Sequence, residues 1–296
     1  VRRKPVSRLP IALPLAACAA LLSSCEFSSR KAVWNLDSGA EYKVRYSAEL
    51  RAKAEGSWGS SPYVSAAQAE FSTVAASDTS KGQLELAFAV DTLEYRSSER
   101  APEEDEYMTG RLRKYKSKLA LSRTGQVLSL EEEPGMPPVE FSPLNFGRFL
   151  AYVLPAFPDA PIKQGSRWEI VQPLLDKFHP GSRVVKRFTL SAIRETAEGD
   201  LATCLVEVEA FLDEDLGNKE KGDGEAAKKP SLTGSGQIVF NLAKGRPVSA
   251  EMDLEGRFLG HPSQKPEDPA SAGSDTAQAE SLPLRLQERL SVRFSD

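Results

Sequence analysis

Residues 42–51 read Tyr42-Lys43-Val44-Arg45-Tyr46-Ser47-Ala48-Glu49-Leu50-Arg51, an unbroken alternation of apolar and polar side chains. A period of two places alternate residues on opposite faces of a β-strand. Tyr42, Val44, Tyr46, Ala48 and Leu50 therefore mark a buried face, and Lys43, Arg45, Ser47, Glu49 and Arg51 a wet one. The pattern returns at Val248, Ala250, Met252, Leu254 and Phe258, set against Ser249, Glu251, Asp253, Glu255 and Arg257. It returns again at Leu284, Leu286, Leu290, Val292 and Phe294, broken only by Glu288. Weaker alternation runs through residues 63–75, 82–95, 111–122, 126–132, 183–194, 201–212 and 236–242. One-faced strands joined by turns are the antiparallel pattern, so the expected fold is mainly β: a curved, mostly antiparallel sheet of about ten strands, a half-barrel or open barrel.

Internal similarities suggest two duplicated halves. Leu119 to Ser129 and Val239 to Ser249 each carry a glycine, Gly125 and Gly245, at the reversal between two strands, where a positive φ is commonly required. Gly39 to Ala48 and Gly181 to Leu190 also begin alike, with Arg45-Tyr46-Ser47 matching Arg187-Phe188-Thr189. Hairpins acquire such features by convergence as well, and both accounts stay open.

The one helix that stands out lies between those halves. Phe146, Phe149, Leu150, Val153, Leu154 and Phe157 recur at spacings of three and four, with Ser142 as a cap, Pro143 in the first turn, and Pro155 and Pro158 at the end. This predicts a helix near 143–155 with one apolar stripe. Such a stripe needs an apolar partner, so the helix is expected to pack on the concave face of the sheet, and its six apolar residues are the candidate hydrophobic-ligand face. Beyond it, Trp168 in Gly165 to Ile170 is expected to pack at a sheet edge. Residues 97–110, 213–231 and 261–280 are rich in charged and small residues and poor in large apolar ones, and are expected as mobile loops of the domain spanning 34–296.

Little in the chain points to catalysis. The two histidines, His179 and His261, each lie beside a proline and lack a second ligand at metal spacing, so neither a metal site nor a Ser-His-Asp arrangement is expected. Thr233-Gly234-Ser235-Gly236 lacks the lysine and the helix of a phosphate-binding loop. The acidic runs Glu103 to Glu106, Glu131 to Glu133 and Asp213 to Asp215 read as solvated faces rather than paired catalytic carboxylates. Trp34, Trp58, Trp168, Tyr42 and Tyr46 read as packing rather than as a binding platform. No enzyme activity and no cofactor are expected.

The N-terminus carries a different message. Arg2, Arg3, Lys4 and Arg8 precede an apolar run from Leu9 to Leu22, which closes on Leu22-Ser23-Ser24-Cys25. This is the charged, apolar, small-residue order of a secretory signal, and the run is shorter than the roughly 20 residues of a spanning helix. Leu22 to Cys25 resembles the lipobox of bacterial lipoproteins. The resemblance implies removal of residues 1–24, lipidation of Cys25, and a tether over residues 25–33. Two or three acyl chains would then hold the protein in a membrane, at about 0.8 kcal/mol per buried methylene. It implies a cell-envelope location. Glu26, where an aspartate would retain a lipoprotein in the inner membrane, tilts the choice to the outer membrane.

Losing residues 1–24 removes four basic and no acidic side chains, which moves the formal charge from −4 to −8. An acidic domain disfavours nucleic acid as a partner. Cys18 would leave with the signal and Cys25 carry lipid, so Cys204, inside the apolar run Leu201 to Val208, has no disulfide partner and reads as a small buried hydrophobe. A curved sheet with an apolar helix across it resembles in outline the half-barrel carriers of bacterial envelopes, which implies a lipid, an acyl chain or an envelope protein as partner of a monomer. The alternative is a structural or surface interaction lipoprotein with a filled core, and a hydrolase using paired carboxylates is third. A carrier needs an empty apolar space of a few hundred Å³ beneath the helix.

Overall fold

The computed structural model describes residues 29–54, 63–78, 82–98, 100–133, 143–175, 181–212, 231–260 and 282–295. The expected signal, Cys25, Trp58, the cap Ser142, both histidines, residues 213–230 of one expected loop and all of the loop at 261–280 lie outside them. The strands are β1 (Glu41–Ala54), β2 (Tyr63–Asp78), β3 (Gln83–Ser97), β4 (Lys116–Ser122), β5 (Val127–Glu132), β6 (Arg167–Pro173), β7 (Arg183–Arg194), β8 (Leu201–Phe211), β9 (Leu232–Asn241), β10 (Arg246–Gly260) and β11 (Leu282–Ser295). They form one 11-stranded sheet in the order β5-β4-β3-β2-β1-β11-β10-β9-β8-β7-β6, antiparallel at every pairing. The sheet curls into a nearly closed barrel. The mainly β, curved antiparallel fold read from the alternation is the fold observed.

β1 and β11 pair along their whole lengths, with Val44 opposite Phe294 and Tyr46 opposite Val292. Val44, Tyr46, Ala48 and Leu50 all point into the core, as do Leu286, Leu290 and Val292. The outer wall carries cross-strand ion pairs such as Arg45–Glu70 at 2.9 Å and Arg289–Asp253 at 2.8 Å. Exposed pairs of this kind contribute about 0–1 kcal/mol each, so they keep the wall soluble more than they stabilise it.

The strand count carries a topological consequence. In an antiparallel run of eleven, the two end strands point the same way, so β5 and β6 are parallel and cannot close the seam with an antiparallel ladder. The chain leaves β5 at one rim and must enter β6 at the other. It makes that journey through the barrel interior over residues 143–157, and residues 158–166 then follow the far rim into β6.

Several expectations need correction. The sheet has eleven strands among the described residues, because Arg167–Pro173 is itself an edge strand bearing Trp168, with Pro173 at its end, where an edge strand tolerates a missing donor. Part of the loop expected at 97–110 is a helix, α1 (Pro102–Leu112), with proline in its first turn, Glu103, Glu104 and Asp105 at its positive end, and Leu112 fully buried. Asp105, read as part of a solvated run, is buried and accepts a hydrogen bond from the Ser97 amide at 2.8 Å. The helix expected near 143–155 is shorter, α2 (Phe146–Val153), and is capped by Asn145, whose side chain accepts from the Arg148 amide. The internal similarities do not share one offset. The matching hairpins are β4–β5 and β9–β10, but Gly39 to Ala48 leads into β1 and Gly181 to Leu190 into β7, which run in opposite directions across the barrel.

One rim is sealed by residues 30–36. Trp34 is buried, its amide donates to Arg123 O at 2.8 Å, its indole donates to Pro155 O at 3.1 Å, and its ring meets Phe240 edge-on. Gly125 permits this closure twice over, since its φ is +87° and a Cβ there would collide with the Trp34 indole and the Pro155 carbonyl. Gly39 has φ +81° but open space around it. Gly125→Ala is therefore expected to lower the melting temperature by roughly 4–10 °C, from about 1–3 kcal/mol of strain plus displacement of Trp34, and Gly39→Ala by distinctly less. Equal losses in the two variants, measured by circular dichroism, would show that the Trp34 contact at Gly125 does not hold the rim closed.

Candidate functional site

The best-defined constellation in the molecule is the crossing segment and the wall that grips it. All six predicted residues lie in or against the core: Phe146, Phe149, Val153, Leu154 and Phe157 are buried, and Leu150 is partly buried against them. Phe146, Phe149, Leu150 and Val153 belong to α2, Leu154 ends it, and Phe157 follows in extended chain. Phe149 stacks on Tyr46 at 5.6 Å, Phe146 meets Phe71 edge-on at 4.9 Å, and Phe157 meets Phe240 at 4.8 Å. The concave-face packing is as expected. The opposite face is enclosed as well, with Gly147, Arg148, Ala151 and Tyr152 buried. A helix enclosed on all sides is a core element rather than a lid.

Enclosure in an apolar core obliges every carbonyl and charge of the segment to find a partner. The wall supplies them strand by strand. Tyr46 on β1 donates to Pro143 O at 2.7 Å, Trp168 on β6 to Ala156 O at 2.8 Å, and Gln172 on β6 to Ala151 O at 3.0 Å. Lys186 on β7 donates to Ala151 O at 2.9 Å and Leu154 O at 2.6 Å. Its ammonium thereby satisfies carbonyls at the negative end of α2, where positive charge is favoured, and lies over the Phe188 ring at 5.8 Å. Arg148 forms a fully buried ion pair with Glu288 on β11.

These charged residues are the ones sequence reasoning missed, and a signal for them was present. Glu288 is the single break in the alternation of β11, and Lys186 stands between the inward residues Val184 and Phe188 of β7. A charge at an inward position announces a buried partner. Burial pushes Lys186 down to about 7, while burial first and the Glu288 carboxylate second hold Tyr46 well above its ordinary range.

Between α2 and the wall, Val44, Tyr46, Phe71, Phe88, Tyr115, Phe146, Phe149, Val153 and Val292 enclose an apolar space of about 20 Å³. That holds at most one water molecule. Cys204 is fully buried on β8, with its thiol pushed up to about 12 by burial, as a small hydrophobe should be.

Outside the barrel, one cluster has the residue types of a nucleophilic site. Lys43 Nζ lies 2.7 Å from Ser72 Oγ and 2.8 Å from Asp91 Oδ2, and Ser72 Oγ donates to Asp91. A register shift in β3 aims Asp91 outward to reach them. The hydrogen bond to Asp91 raises the pKa of Lys43, so the amine stays protonated and takes no proton from Ser72. Among the described residues, no group of three or more His, Cys, Asp or Glu is placed to hold a metal ion.

No protein-family model matches the chain, and neither does any curated protein. Among solved structures it is similar to lipovitellin, in a structure described as lipid-protein interactions in lipovitellin, at 10% identity over 88% of this chain and 26% of that one, with a TM-score of 0.36. It is similar also to a DUF1329 family protein from Desulfovibrio piger ATCC 29098, at 9% identity over 88% of this chain and 85% of that one, with a TM-score of 0.21. The chain spans about a quarter of the lipovitellin chain. Both likenesses are loose.

Two outcomes follow from the gripped segment. Glu288→Ala leaves Arg148 charged and buried without its carboxylate, which costs about 3–5 kcal/mol, so the melting temperature should fall by roughly 10 °C, and Arg148→Met combined with Glu288→Leu should regain most of it. A single variant within about 2 °C of wild type would mean that the pair is relaxed by water. For Lys186 the folded pKa lies below the unfolded value of 10.5. The unfolded chain therefore binds more protons between about pH 7 and 10.5, and stability rises with pH through that window and is flat below it. From pH 7 to 9.5 the wild-type melting temperature should gain roughly 5–10 °C on that of Lys186→Met, and parallel profiles would show that the two carbonyls offset the burial.

Proposed function

We propose that this is an outer-membrane lipoprotein, anchored through Cys25, whose β domain is a rigid, non-enzymatic interaction module that works through its outer surface. The observation that carries the reading is the filled interior. A carrier needs a few hundred Å³ of empty apolar space, and about 20 Å³ lies beneath α2. The side chains that would line a ligand site are already spent on the protein's own crossing segment. A hydrophobic ligand could enter only if the segment left, and its departure would strand Lys186, Gln172 and Glu288, parted from Arg148, in an apolar barrel. The outer wall, with its charged ladders, is the surface left to meet an envelope protein.

Anchoring and filling are tested separately. Cys25→Ala is expected to abolish fatty-acid labelling and release the protein from the membrane fraction, and a mutant that still incorporates label and pellets refutes the lipobox reading. For the interior, the wild-type domain should bind no fluorescent hydrophobic probe, and Phe149→Asp should fail to accumulate, because an unpaired carboxylate in that packed site costs several kcal/mol. Saturable probe binding by wild type, lost in a folded Phe149→Asp, would restore the carrier.

A further inference from the structure

Because every strand pairing is antiparallel, the chain reversals sort onto two rims. The tight turns at residues 123–126, 195–200 and 242–245 share one rim with the start of β1 and the start of β6. The ends of β1, β8 and β10 share the other rim with α1.

The N-terminal strap is bound only to the first rim. Arg30 and Ile162 exchange both backbone hydrogen bonds at 2.7 Å, Trp34 N donates to Arg123 O, and Asn35 N donates to Gly245 O at 2.9 Å. Arg30 also pairs with Asp200 at 3.1 Å. Cys25 lies five residues before Arg30, and a fully extended chain gains at most about 3.6 Å per residue, so the sulfur lies within roughly 18 Å of that anchor point. A 14-residue strand such as β1 runs about 45 Å at 3.3 Å per residue, so the opposite rim is out of reach of a lipid on Cys25 in an upright domain.

Charge permits the same arrangement. On or beside the tight-turn rim Arg30 pairs with Asp200 and Lys244 with Glu198, and the exposed Lys31, Arg123, Lys163, Arg167 and Arg194 stand against Asp37, Glu41, Asp159 and Glu195. That balance lacks the acidic excess of the mature chain, so this end can approach anionic head groups without net repulsion.

We propose that the tight-turn rim is a membrane-apposed surface fitted to lipid head groups, so that the barrel stands upright on the bilayer with α1 and the exposed Tyr107 turned away from it. This rests on lipidation of Cys25. The resulting geometry makes the strap a short leash with two functions: it closes the barrel at Trp34 and sets which end a partner can meet.

The test uses the lipidated mature protein, purified from membranes and reconstituted into phosphatidylcholine vesicles with a minority of phosphatidylglycerol and a head-group-labelled acceptor lipid. Single cysteines replace Lys163 or Arg123 at the rim, Glu207 on the wall, and Tyr107 on α1, each carrying a donor dye, while the buried Cys204 stays unlabelled. Energy transfer to the head groups should be highest at 163 and 123, lower at 207, and severalfold lower at 107. Flotation with the vesicles reports the anchor. If the protein does not float, the Cys25 reading and the orientation fall together. If it floats but 207 matches the rim positions, or 107 exceeds them, the anchor stands and the upright orientation is overturned.

Discussion

An odd number of antiparallel strands cannot close on itself, and that constraint organises the rest of this structure. With eleven strands, β5 and β6 meet the seam in parallel, and the link between them has to travel the length of the barrel. An outside route would leave the lumen without a filling and expose the stripe of Phe146, Phe149, Val153 and Phe157. The inside route solves both at once, burying the stripe against the inward residues of β1, β2, β9 and β11. Each fully buried large apolar side chain contributes about 1.5–3 kcal/mol, so four of them outweigh any single polar term in the interior.

Interior passage brings a polar problem that the fold meets with side chains from the wall. A single-layer barrel has no second sheet or water shell inside to satisfy a passing backbone. Pro143, Ala151, Leu154, Pro155 and Ala156 each present a carbonyl, and Tyr46, Gln172, Lys186, Trp34 and Trp168 each present a donor. The donors come from the strap and from three different strands. The crossing segment is held in one register because a shift along the axis would unpair several of these at about 1–3 kcal/mol each.

The sequence disclosed the strands far better than the seam between them. Residues 42–51 alternate without a fault because β1 has one face in the core and the other in water, and the same holds for β10 and β11. The 3.6-residue spacing around Phe146 located the helix for a similar reason. Helix α1 escaped because its Glu-rich run has no apolar stripe: a proline start, the buried Asp105 and Leu112 at its end are what hold it. The gripping site escaped because its members, Lys186, Glu288, Gln172 and Trp34, lie on four distant segments, and only the breaks in alternation at 186 and 288 hinted at it. Strand parity, which decides that the lumen is filled, depended on counting Arg167–Pro173 as a strand.

The filled lumen bears on how the molecule can act. A barrel that carries a ligand needs a space whose walls are paired among themselves whether or not the ligand is present. Here the inward polar groups of three strands are paired to the chain's own backbone, so the empty state is one with unsatisfied donors and an isolated buried charge. Those costs oppose opening, and entry of a ligand must also displace packed aromatic rings. The interior is thus committed to holding the crossing segment in place. The strap occupies one rim from within, with Trp34 under the tight turns.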